Sequence, residues 1–196
     1  SYEEASSIPI GGMEGLQNIR KANVTKGKKI LINGAGGTIG TFAVQIARYY
    51  GAEVTAVDSA EKFDIMRSIG ADHVIDYTKE DFTKNGKTYD AILDVVGKCR
   101  YSRSIQSLNK NGRLLIANPK LSHTIRGLWT SLTSSKKVII GAMSENVEDL
   151  QFLKELVEKG ELKPVIDKTF PLEQIVEAHK YVESGQKKGN VVINVI

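Results

Sequence analysis

"NGAGGTIGTFAVQ", residues 33 to 45, is the stretch on which the fold turns. Gly34, Gly36 and Gly37 fall within four positions, and the chain then enters an amphipathic pattern. Before the glycines, Lys29-Ile30-Leu31-Ile32 is short, apolar and β-branched, as a buried strand would be. After them, Ile39, Phe42, Ala43, Ile46, Ala47 and Tyr50 recur at the intervals of one helical stripe, which Gly51 ends. The glycines therefore sit on a strand-to-helix turn. A helix begun there aims unpaired N–H groups and its positive dipole end at the loop, which suits a phosphate. The spacing G-x-G-x-x-G is not met from Gly34 and Gly36, because Ile39 stands where the third glycine belongs. The variant Ala35-x-Gly37-x-x-Gly40, preceded by Gly34, does fit. A glycine-rich turn with no ligand would have the same appearance, so the surrounding sequence has to decide.

The surroundings favour a dinucleotide. A second strand, "EVTAV", follows the helix and closes on Asp58, about 20 residues past the glycines, where an acid can accept from ribose hydroxyls. The alternative is an aspartate that merely caps the next helix. Then come "AEKFDIMRSIG" as a helix, "HVID" as a third strand, "DAILDVV" as a fourth and "RLLIA" as a fifth. Strands alternating with helices at this spacing give a Rossmann-type α/β fold: a doubly wound parallel sheet of order 3-2-1-4-5-6 with helices on both faces. Farther on, "KLSHTIRGLWTSLTSS" places Leu121, Ile125, Leu128, Trp129 and Leu132 at near-helical spacing, packed on their own domain or walling an apolar cleft. "KKVIIGAM" reads as the sixth strand. "ENVEDLQFLKELVEKG" is a helix, "FPLEQIVEAHKYVESG" another with Pro171 in its first turn, and "NVVINVI" a final strand. Ser1-x-x-Glu4 reads as a capping box that opens a helix.

Composition excludes several classes. The chain has 196 residues, enough for one domain with a respectable core. It contains no apolar run long enough to span a bilayer, and no signal peptide is visible. The net charge of +4 is spread over scattered lysines and arginines rather than a patch, which argues against nucleic acid. One cysteine, Cys99, can make neither an internal disulfide nor a metal site alone, which fits a reducing compartment and a cytoplasmic protein. Lys98 and Arg100 beside it could lower its pKa, yet no histidine stands nearby in sequence to act as base. His73, His123 and His179 are too far apart in sequence for a local metal site.

From "GLQNIRKANVTKGKKILINGAGGTIGTFAVQIARYYGAEVTAVD" through "IGADHVIDYTKEDFTKNGKTYDAILDVVGK" to "FPLEQIVEAHKYVESGQKKGNVVI", the chain resembles the quinone-oxidoreductase-like, zinc-independent branch of the medium-chain dehydrogenase/reductase superfamily. The resemblance implies hydride transfer between a nicotinamide cofactor and a quinone, enal, carbonyl or alcohol. Gly36, Gly37, Thr38 and Ile39 would offer N–H groups to the diphosphate, and Gly40 would let the helix pack close to the sheet. Val95, Val96 and Gly97 after the fourth strand, with Asn118 and Pro119 after the fifth, would meet the nicotinamide and its ribose. Asp58, with Ser59 beside it, favours NAD by repelling a 2′-phosphate. Lys62 and Tyr77 match positions that hold that phosphate in NADPH-dependent relatives, so NAD is preferred only slightly over NADP. No residue is assigned as catalytic. A non-catalytic nucleotide-binding module is the competing reading. A methyltransferase using S-adenosylmethionine is disfavoured by Gly40, the third glycine of the loop.

The resemblance also bears on organisation. Relatives carry a GroES-like substrate domain before this point, so the chain reads as a fragment cut near a domain boundary. Residues 1–25 would be a lead-in, 26–160 the dinucleotide-binding domain and 161–196 a return segment. Pro9 falls at about the place of the zinc-ligating cysteine of zinc-dependent relatives, so no zinc is expected. Relatives commonly pair the sixth strand with its own copy, which predicts a homodimer through residues near Val138 to Ala142.

Overall fold

Ile30, Leu31 and Ile32 are all fully buried, and they face two different cores. Ile30 and Ile32 join one apolar cluster and Leu31 the other, because successive strand residues point to opposite faces of a sheet. A strand buried on both sides is what a parallel sheet under two helical layers requires. The computed structural model describes residues 1–140 and 144–195.

The sheet contains β1 (Lys29–Asn33), β2 (Glu53–Asp58), β3 (His73–Asp76), β4 (Tyr89–Asp94), β5 (Leu108–Ile116) and β6 (Lys137–Ile140). They lie in the order β3-β2-β1-β4-β5-β6, every pair parallel. This is the doubly wound topology expected from the alternation of strands and helices. The order reverses beside β1, whose neighbours β2 and β4 diverge to opposite sides, and a crevice opens there at the carboxyl ends.

Ser1 caps α1 (Tyr2–Ser7) through the anticipated box with Glu4. A π-helical turn leads into α2 (Met13–Ala22), which packs with α3 (Thr38–Tyr49) on one face of the sheet. Leu16, Ile19 and Phe42 are fully buried in that layer. Truncating Phe42 to alanine would cost about 3–5 kcal/mol. The short α4 (Phe63–Ser68) and α5 (Tyr101–Gln106) follow β2 and β4. The last helices are α6 (Leu121–Thr133), α7 (Val147–Glu158) and α8 (Ile175–Glu183).

Four expectations need correction. Pro171 is not in a helical first turn: it ends β7 (Ile166–Pro171), which pairs in parallel with β8 (Asn190–Asn194), and α8 begins only after a 3-10 turn at Leu172–Gln174. A proline at the strand's last position is tolerated there, where the ladder stops. The fourth strand stops at Asp94, because the Asp94 carboxylate draws the following backbone into a turn. The fifth starts earlier than "RLLIA", at Leu108, with a register shift opposite Tyr89 and Ala91. Finally, Leu121, Ile125, Leu128, Trp129 and Leu132 do not pack on their own domain. They are 66–80% exposed, and α6 meets β6 instead through its opposite side, where Gly127 lies against Val138. Gly141, Ala142 and Met143 of the proposed sixth strand lie outside the described residues.

Candidate cofactor site

A cleft of about 660 Å³ opens at the carboxyl ends of β1, β2 and β4. Its size suits a small-molecule or cofactor pocket. Gly34, Gly37, Thr38 and Ile39 form one wall, Asp58, Lys62 and Tyr77 a second, and Val95, Val96, Lys98 and Cys99 a third.

The glycine positions are explained by what a side chain would strike. A Cβ on Gly40 would lie 2.2 Å from the Gly34 carbonyl oxygen and 2.6 Å from the Ala35 Cα, so only glycine lets α3 start this close to β1. Gly37 is different. Its φ of −93° and ψ of −176° suit any residue, and an added Cβ would come no closer than 3.6 Å to another atom. The protein itself therefore leaves space at Gly37, on the cleft side. The N–H groups of Thr38 and Ile39 belong to the first turn of α3, where a helix leaves donors without intrahelical partners.

Asp58 and Lys62 are both buried and form an ion pair of 3.1 Å. The second Asp58 oxygen accepts from the Gly36 N–H at 2.9 Å, and the first also accepts from the Ser59 N–H at 2.9 Å. Gly36 thus spends its donor within the protein, on the acid at the end of β2. The aspartate couples loop to strand and still lines the cleft, and Ser59 lies behind it as a partner of Asp58. Tyr77 is 62% exposed at the rim.

On the opposite side, Asp94 is buried at the end of β4 and organises the turn beyond it. Its carboxylate accepts from the Asn33 amide at 2.9 Å, the Gly97 N–H at 3.0 Å and the Cys99 N–H at 3.1 Å. Gly97 has φ +72°, and a Cβ there would meet the Asn118 carbonyl at 2.8 Å, so the turns after β4 and β5 lie against each other. The Asn118 amide donates to the Val95 carbonyl at 2.7 Å, while Asn118 and Pro119 remain exposed beside the cleft rather than in its lining. Burial, with the Asp94 charge second, pushes the Cys99 thiol up to about 12. The neighbouring Lys98 and Arg100 therefore do not activate it, in keeping with its being assigned no catalytic role from sequence.

The chain's C-terminal part also reaches the site, which the sequence did not reveal. Val182, Gly185 and Lys187 line the cleft. The Gly189 N–H donates to the Gly36 carbonyl at 2.9 Å, and the Thr38 hydroxyl donates to the Gly189 carbonyl at 3.1 Å. Only the run "KKG" before the last strand could have hinted at a charged contact, and nothing local ties it to a loop some 150 residues earlier.

A glycine loop opening a helix, an acid ending the next strand and a cleft at the point where strand order reverses define a dinucleotide-binding domain. Residues 69–193 match the zinc-binding dehydrogenase family, and the chain belongs to it. The mitochondrial NAD(P)H oxidoreductase of Bos taurus is 33% identical across all of this chain and 56% of its own length. The chloroplastic quinone oxidoreductase of Triphysaria versicolor is 32% identical over 98% of this chain and 62% of its own. Among solved structures, the quinone oxidoreductase of Coxiella burnetii superposes with a TM-score of 0.91 at 28% identity, over all of this chain and 62% of that one. The chain spans about half the length of the curated relatives it matches. It is the cofactor-domain part of this medium-chain dehydrogenase/reductase fold.

Among the described residues, no group of three or more histidine, cysteine or acidic side chains is placed to hold a metal ion. Pro9 sits in the π-helical turn, His73 pairs with Glu53, and His123 and His179 lie on α6 and α8. No helix among the described residues is long and apolar enough to cross a membrane.

Proposed function

We propose that this chain binds NAD(H) or NADP(H) and forms the cofactor-holding part of a zinc-independent oxidoreductase acting on a quinone, an enal or another carbonyl compound. The observation that carries the reading is the open approach at Gly37 beside the first turn of α3, facing a cleft that ends on Asp58. Nicotinamide, when bound, supplies the hydride chemistry. The chain's own task is position. Thr38 and Ile39 N–H groups and Gly37 would receive the diphosphate, with Gly36 and Gly40 setting the loop's shape. Asp58, with Ser59, Lys62 and Tyr77, would surround the adenosine ribose. Val95, Val96 and Gly97, braced by Asp94, with Asn118 and Pro119, would flank the nicotinamide end. NAD is favoured modestly, because the Asp58 carboxylate would repel a 2′-phosphate even when partly neutralised by Lys62.

Zinc plays no part through these residues, since proline offers no ligand at position 9 and the histidines do not converge. Residues 1–25 serve as a lead-in, 26–160 as the dinucleotide-binding domain and 161–196 as a return segment. The edge of β6, which no described strand covers, is the surface for a homodimer. A half-buried, neutral thiol at Cys99 suits a reducing compartment such as the cytoplasm. Titrating the chain with NADH and NADPH tests the reading: micromolar binding to either supports it, and binding to neither refutes it. A hydride-transfer assay of a longer form with a quinone and enal panel then tests the reaction.

A further inference from the structure

Two lysines line the cleft near the glycine loop, and they are not equivalent. Lys62 is held by the Asp58 carboxylate. Lys187, half-buried, donates to the Thr38 hydroxyl at 2.7 Å and to the Gly189 carbonyl at 2.8 Å, both neutral oxygens. Among the described residues it forms no ion pair. An ammonium carries three donors, so one donor and the full charge remain uncommitted to any acid. Burial, reinforced by the nearby Lys62 charge, lowers its pKa against the opposing pull of Asp167 and Asp58.

The position is also specific. Thr38 is the first residue of α3, and Gly189 is bridged to Gly37. The turn carrying Lys187 is thereby fixed over the helix start. We propose that Lys187 is a cofactor-binding residue that supplies the positive charge to the dinucleotide's diphosphate, delivered to the glycine loop by the C-terminal segment. This rests on the proposed cofactor reading and extends it. An anion at the loop would meet helix donors from one side and this ammonium from another, and a charge-assisted hydrogen bond in a partly buried site is stronger than a neutral one. The 2′-phosphate is the other possible recipient. The bond to Thr38 favours the diphosphate, because it anchors the ammonium at the helix start.

Binding of NADH, NADPH, ADP-ribose and adenosine to the parent and to Lys187→Met and Lys187→Arg separates the outcomes. Lys187→Met should weaken NADH, NADPH and ADP-ribose alike by roughly tenfold or more, leave adenosine unchanged and flatten the salt dependence. Lys187→Arg should retain most of the affinity. Unchanged NADH affinity in Lys187→Met, or a loss confined to NADPH, overturns the proposal. If the parent binds neither dinucleotide, the cofactor reading fails first and this inference falls with it. A second measurement needs no variant: saturating ADP-ribose, but not adenosine, should protect Lys187 of the parent from acetic anhydride, read by mass spectrometry. An unprotected Lys187 in the ADP-ribose complex overturns the proposal even where Lys187→Met does not fold.

Discussion

The Lys62 ammonium lies 3.1 Å from the Asp58 carboxylate, with both side chains buried at the end of β2. The residue proposed to favour NAD and the residue that would favour NADP thus hold each other. Replacing Asp58 with serine removes the repulsion and frees Lys62 to pair with a 2′-phosphate. The ratio of NADPH to NADH affinity should rise by roughly tenfold or more. The variant should also be less stable, on the order of 3 kcal/mol, because a buried lysine loses its partner and the Gly36 N–H its acceptor. Paired calorimetric titrations and denaturant melts measure both, and a parent that already prefers NADPH would contradict the proposed NAD preference.

Two glycines of one loop should respond in opposite ways. Gly37→Val places its side chain in open space on the cleft side, so the fold should persist while dinucleotide binding falls by about a hundredfold or more. Gly40→Ala forces a carbon within 2.2 Å of the Gly34 carbonyl, so it should destabilise the fold itself, by about 1–3 kcal/mol or more. Circular dichroism melts alongside nucleotide titrations distinguish the two. A folded Gly37→Val with parental affinity would remove the loop from the site.

The contrast between those glycines shows where sequence reading stops. Spacing alone located the turn, since strand, glycines and helix are contiguous, and the alternation of strands and helices announced a parallel sheet, whose strand order followed from the dinucleotide-binding reading. It could not separate a glycine needed for close packing from one needed for access, because the atoms that decide are in the folded neighbourhood. β7 escaped for a related reason. Asp167, Lys168 and Thr169 form a polar run on a half-exposed strand, whose pairing partner lies beyond an intervening helix. Lys187 and Asp94 were invisible as site-forming residues because their roles depend on long-range contacts to Thr38 and Asn33.

Asp149 ties α7 to α2. Its carboxylate accepts from the Gln17 amide at 2.9 Å and the Asn146 amide at 2.8 Å, and it pairs with Arg20. Burial opposes ionisation, but these donors and the Arg20 charge prevail, and the pKa lies below the ordinary carboxylate value. The folded pKa is depressed relative to the unfolded one near 4. Its contribution is therefore present above about pH 4 and disappears as pH falls through the folded value. Asp149→Asn should lower stability at neutral pH and flatten the acid limb of a melting profile between about pH 5 and 2. An unchanged acid limb would show that other carboxylates govern it.

Cys99 offers a chemical check of the turn after β4. With its thiol held near 12, almost no thiolate exists at pH 8. Iodoacetamide should leave Cys99 unmodified in the native protein and modify it readily in urea, where its pKa returns to about 8.5. The linkage runs in the same direction. The folded state keeps a proton that the unfolded state releases, so this group's contribution is intact below about pH 8.5 and is lost progressively above it. Asp94→Asn removes the nearby negative charge and three charge-assisted contacts, and should speed native alkylation measurably. Rapid alkylation of the parent at pH 8 would contradict the half-buried, neutral thiol.

The edge of β6 gives the last prediction. Val138 and Ile140 pack into the sheet's second core and Ile139 against the first, while no described strand pairs on the far side of β6. An apolar edge left open is a pairing template. Beside it, α6 exposes Leu121, Ile125, Leu128, Trp129 and Leu132, whereas soluble surfaces seldom leave so much apolar area contiguous without use. A two-fold contact that pairs β6 with its copy would cover the edge and bring both stripes toward the interface. Lys137, which begins the strand, opposes the arrangement mildly by adding charge at one end. If β6 forms the contact, light scattering should show dimers for the parent, and Ile139→Lys should give monomers. Trp129→Ser should weaken the dimer without disturbing the fold, because that ring makes little contact with its own domain. The competing edge is β8, which is already paired with β7 on one side. A dimer that survives Ile139→Lys would point to β8, and a parent that stays monomeric at tens of micromolar would rule out both.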